Sequence, residues 1–125
     1  MSLKRIIAAS LLVLGLVTGP VRAAEEQRPY DNQLLRLAEL LGAVHYLREL
    51  CGAKEGQIWR EKMEALVEAE GTSALRRAKL VQSFNKGYRS YRRTYQTCTK
   101  SAETAVTRFL AEGAEIADAV SASGT

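Results

Sequence analysis

The chain has 125 residues, which suits one domain with its own buried core. Its formal charge of +4 comes from 18 basic and 14 acidic residues. Three of the basic ones, Lys4, Arg5 and Arg22, lie in an N-terminal segment expected to be removed, which leaves 15 against 14, about +1; a basicity argument for nucleic-acid binding is therefore excluded.

Lys4 and Arg5 precede an uncharged, mostly apolar run from Ile6 to Val17. Thr18-Gly19-Pro20 breaks any helix there, and Val21 and Ala23 then stand at −3 and −1 of a cleavage site. This order is that of a secretory signal peptide, so residues 1–23 are expected to be removed on export to the periplasm. The apolar run is shorter than the ~20 residues of a membrane span, so no stable span is expected after cleavage. No Cys follows the cleavage site to carry a lipid.

Residues 24–30 read as a flexible lead-in, with Pro29 disfavouring helix before it. Asp31 is expected to cap a first helix from Asn32 to about Leu50. Leu34, Leu37, Leu41, Val44 and Arg48 form one ridge of it, Ala38 and His45 lie beside them, and Leu40, Leu47 and Cys51 widen the apolar face. Gly52 ends it as a C′ glycine. After the turn 52–56, a second helix covers roughly Gln57 to Glu70, with Trp59, Met63, Leu66 and Val67 at helical spacing and Glu61, Glu64 and Glu68 opposite.

Thr72 or Ser73 is expected to cap the third helix, which runs to about Thr97 with a stripe of Val81, Phe84, Tyr88, Tyr91, Tyr95 and Cys98. Gly87 interrupts that stripe and suggests that a neighbouring helix passes close. Lys86, Arg89 and Arg93 share an outer ridge. Ser101 is the candidate cap of a fourth helix from Ala102 to about Val120, whose stripe is Ala102, Val106, Phe109, Gly113, Ile116 and Val120; Ala105, Gly113 and Ala117 allow close packing. Residues 121–125 read as a disordered tail, which leaves 31–120 as the helical domain.

The pattern predicts an all-α fold, a small bundle of about four helices closed by one disulfide. Short connections favour antiparallel neighbours, so helices 1 and 3 point the same way and end together. Cys51 and Cys98 stand at those ends, and an isolated pair of cysteines in an exported domain favours a disulfide.

The segments LLRLAELLGAVHYLRELCG (34–52), EGQIWREKMEALVEAEG (55–71) and FNKGYRSYRRTYQTC (84–98) resemble an uncharacterised family of small exported alphaproteobacterial proteins with two well-separated cysteines, a domain of unknown function. The resemblance covers the mature chain and implies a periplasmic, disulfide-bonded protein. It implies no activity, substrate or catalytic residue.

No catalytic set stands out. His45 is the sole histidine, one turn before Glu49, and reads as a packed core residue rather than a metal ligand or base, because both roles need several converging groups. The glutamates of helix 2 read as a solvated ridge. No metal site and no cofactor are expected. The most distinctive segment is GYRSYRRTY (87–95), in which Tyr88, Tyr91 and Tyr95 alternate with Arg89, Arg92 and Arg93. Its plain reading is a core stripe beside a basic face; its functional reading is a binding strip for an anion, since arginine forks grip carboxylate and phosphate. Trp59, the sole tryptophan, is a core anchor or, if exposed, a hot spot for a partner. The leading expectation is a non-enzymatic binding or envelope-associated protein with an anionic partner. The alternatives are a stress-protective periplasmic chaperone and a cell-wall-acting enzyme or enzyme inhibitor.

Overall fold

A computed structural model describes residues 15–16 and 27–123. Apart from residues 15 and 16, the expected signal peptide lies outside the described residues, as do most of the lead-in and the last two residues. Four helices follow in order: α1 (Asp31–Leu50), α2 (Ile58–Glu70), α3 (Ala74–Thr94) and α4 (Lys100–Ser123). No strand occurs among the described residues.

The first helix is the centre of the bundle. Its buried residues Leu34, Ala38, Leu40, Ala43, Val44, His45 and Leu47 spread well beyond one stripe, and it packs against each of the other three helices. The direction of each neighbour follows from paired contacts along α1. Asp31 meets Arg76 near its start, and Cys51 is bonded to Cys98 beyond its end, so α3 runs parallel to it. Arg36 meets Glu112, and Leu47 clusters with Ala102, so α4 runs antiparallel. Glu70, the last residue of α2, meets Arg28 just before the start of α1, so α2 also runs antiparallel, and the up-down-up-down order expected from short loops is observed.

The tightest contact is between α1 and α3, where two glycines face opposite backbones. A Cβ on Gly42 would stand 1.9 Å from the carbonyl oxygen of Phe84, and one on Gly87 would stand 2.0 Å from that of Glu39. Gly87 thus carries the close helix pass expected of it, and Gly42 is its counterpart on α1.

Several boundaries differ from expectation. Tyr30, not Asp31, holds the N-cap position of α1; the Asp31 carboxylate instead accepts the backbone N–H of Arg28 at 2.9 Å and the Arg76 guanidinium at 2.7 Å. Arg48 leaves the expected ridge to pair with Glu55. Gly52 has φ +82°, and the N–H groups of Gly52 and Ala53 bond back to Glu49 and Arg48, so the helix closes as expected in a left-handed C-terminal motif.

Ser73 caps α3 through its hydroxyl, which accepts the N–H of Arg76. That helix stops at Thr94, not Thr97, so Cys98 lies exposed in the following connection. Val81 is 44% exposed, and Leu80 at 3% takes its place in the core: the inward row is Arg76, Leu80, Phe84 and Gly87, one position behind the expected start. Thr99, not Ser101, caps α4 by accepting the N–H of Ala102 at 3.1 Å. The helix continues to Ser123, so residues 121–123 are helical and not part of a disordered tail.

Two core clusters divide the bundle. One joins Leu40, Val44 and Leu47 to Ala102, Val106 and Phe109 near the disulfide. The other joins Leu34 and Ala38 to Met63, Leu80 and Phe84 at the opposite end. The Cys51–Cys98 bond holds its two Cα atoms 5.0 Å apart and ties the end of α1 to the connection between α3 and α4.

Candidate functional site

The tyrosines and arginines of 88–95 do not share one surface. Tyr88 is half-buried, its ring 5.7 Å from that of His45 and edge-on to Tyr46 at 5.4 Å. Tyr91 meets Phe109 edge-on at 5.1 Å and lies parallel to Tyr95; burial pushes its phenol above the ordinary range. The Tyr46 hydroxyl donates to the carbonyl of Tyr95 at 2.5 Å. The three tyrosines therefore join α3 to α1 and α4, as half-buried phenols do well.

Arg89, Arg92 and Arg93 are exposed on the other side. Arg92 stands over the Tyr88 ring at 5.8 Å. Arg89 and Arg93 join Lys86, Gln82 and Asn85 around a shallow hollow of about 350 Å³. Between Glu70 and Glu103 the chain has no acidic residue and eight basic ones, so α3 is acid-free along its length. Lys86, Arg89 and Arg93 enter none of the ion pairs found among the described residues. The outer face of α3 is thus a row of uncompensated cations fixed on a rigid helix.

His45 is 5% exposed, with its ring against Phe84 and Tyr88. Burial lowers its pKa, Glu49 opposes that shift and Arg60 adds to it. The ring is packed, not presented to a substrate. No group of three or more His, Cys, Asp or Glu residues among the described residues is placed to hold a metal ion.

Trp59 is half-buried beside the cluster around Phe109. Its indole N–H donates to the Glu55 carboxylate, which also takes the Arg48 guanidinium. That bridge from the end of α1 holds the carboxyl of Glu55 below the usual range. The Lys62 ammonium lies 5.9 Å from the Trp59 ring centre. Beside it a trough of about 570 Å³ opens between α2 and α4, with α1 as its floor.

A family model described as a protein of unknown function (DUF2385) matches residues 29–123. The chain belongs to the DUF2385 family. The matched span of this DUF2385 chain takes in all four helices and both cysteines. Among the curated proteins and among the solved structures, no match was found.

Two features of the DUF2385 chain escaped the sequence reading. One is the ion network at the end of the bundle opposite the disulfide. There the Arg76 guanidinium, 10% exposed, reaches Asp31 and the Glu70 carbonyl, and Arg28 reaches the Glu70 carboxylate at 2.7 Å. Its only signal was an arginine four residues before Leu80 on the inward row. The other is the trough, whose members lie on three helices and have no common spacing in the sequence.

Proposed function

We propose that this chain is exported to the periplasm with cleavage after Ala23, and that it acts there as a non-enzymatic interaction protein that docks an anionic partner of the envelope on the outer face of α3. The observation that carries this reading is the row Lys86, Arg89 and Arg93, exposed and without ion pairs among the described residues on an acid-free helix. Desolvating such a row costs least where an anionic surface replaces the water, and arginine forks add geometric selectivity for carboxylate or phosphate. The tyrosines support the reading indirectly, because they fix α3 against α1 and α4 and so hold the row straight.

Two measurements test it. Intact mass of protein recovered from the periplasm should lack residues 1–23; a mass that retains them rejects the export reading. Crosslinking in the periplasm should then capture a component that the Arg89→Ala/Arg93→Ala variant fails to capture at an unchanged melting temperature, since exposed charges of this kind contribute within about ±0.5 kcal/mol. Equal capture by the variant rejects the face.

A further inference from the structure

We propose that the trough between α2 and α4 binds one free fatty acid, its hydrocarbon chain along α1 and its carboxylate at Lys62. The trough is separate from the outer face of α3, and its chemistry is different. Leu37 and Leu41 of α1 form its floor, Leu66 of α2 and Leu110 of α4 face it, and Lys62 is the one charged residue along it. An apolar trough of about 570 Å³ lies within the size range of small-molecule sites, which bind largely through apolar walls and a few oriented polar groups.

The trough has a polar end and an apolar end. Trp59 is held at one end by its N–H bond to Glu55. Lys62 lies over the Trp59 ring, and it enters no ion pair among the described residues. One turn further along α2 the walls become Ala65, Leu66, Ala114 and Ala117, which offer no side-chain hydrogen bond. A ligand with one anionic head and an apolar tail matches that sequence of surfaces.

The trough holds about 570 Å³, which leaves room for a single hydrocarbon chain along α1. The small walls also make the site open to test. Ala114 and Ala117 are exposed, so a larger side chain there enters the trough without entering the core.

Trp59 is the only tryptophan of the chain, so its fluorescence reports the site directly. Protein recovered from cells expressing the full chain is titrated with dodecanoate below its micelle concentration. The expected result is saturable binding of one dodecanoate per chain with a change in Trp59 emission. Decanoate should bind roughly tenfold weaker, the loss of two buried methylenes. Lys62→Gln should weaken dodecanoate severalfold and leave decanol unchanged. Ala114→Phe, and independently Ala117→Phe, should weaken dodecanoate at least tenfold while helical content and melting temperature are kept. Four results overturn the proposal: no saturable change; equal binding by both phenylalanine variants; binding to anionic vesicles but not to free dodecanoate; or a dimeric chain with Trp59 already shielded that takes up no dodecanoate.

Discussion

Gly87 of α3 lies so close to the carbonyl of Glu39 on α1 that a Cβ would stand 2.0 Å from its oxygen, and the reciprocal contact joins Gly42 to Phe84 at 1.9 Å. Both obstacles are backbone atoms, which no rotamer change relieves. Gly87→Ala and Gly42→Ala should each force α1 and α3 apart, at a cost of about 1–3 kcal/mol or more. Gly113→Ala is the internal control, because its Cβ would meet only the Leu37 side chain, at an ordinary 3.7 Å. It should be neutral or stabilising by about 0.5–1 kcal/mol, since alanine is the better helix former. Thermal unfolding of the three variants checks this; a Gly87→Ala chain that melts with the parent disproves the close pass.

The disulfide joins residues separated by 47 positions. Closing a loop of that length removes unfolded-state entropy worth roughly 4 kcal/mol, a model-dependent upper figure. The Cys51→Ser/Cys98→Ser variant should therefore melt far below the parent. Because Cys98 is exposed, a mild reductant should reach the bond in the folded protein and produce the same loss. The oxidised protein, denatured without reductant, should yield no reactive thiol.

Arg76 is the buried member of the network that ties the start of α1 to the end of α2 and the start of α3. Arg76→Ala leaves the Asp31 carboxylate without its guanidinium and should destabilise the chain by about 3 kcal/mol. Desolvation raises the Asp31 carboxyl, but the bonds from Arg76 and from the Arg28 N–H, with their charges, outweigh it and hold it below the usual range. A lowered carboxyl pKa stabilises the fold above the unfolded value, and that stability is lost as pH falls through the folded value. Glu112, lowered chiefly by its bond from Arg36, acts in the same sense on the α1–α4 contact. Urea unfolding should show stability falling as pH drops below about 4.5, with a shallower fall in Asp31→Asn.

His45 adds an effect at higher pH. Burial lowers its pKa, so the folded state binds its proton less readily than the unfolded chain does. Stability from the neutral ring is complete above the unfolded value of about 6.5 and declines as pH falls below it. His45→Phe should flatten the stability profile between pH 7 and pH 5. An unchanged profile would show that the ring keeps its ordinary pKa.

The existence and order of the helices were legible in the chain, because helical spacing and the Gly and Ser signals that end and cap helices are local. Gly52, Ser73 and the paired cysteines act as read. The row of α3 that faces inward was less legible. Leu80 and Val81 are adjacent and equally apolar; Leu80 is buried because α3 is rotated by its glycine contact with α1. The same limit applies to the candidate strip, where Tyr88, Tyr91 and Tyr95 had partners on other helices that no spacing reveals.

Local chemistry thus determined an all-helical chain, the up-down order of its short-looped helices and the match between its two cysteines. Tertiary structure decided the rest. Burial on nearly every side makes α1 the central helix, a role that its sequence alone does not distinguish from a surface helix. The ion network around Arg76, the cation row left uncompensated on α3 and the trough between α2 and α4 each depend on residues brought together from several helices. Their energies come from desolvation and distance, which exist only once the helices are packed.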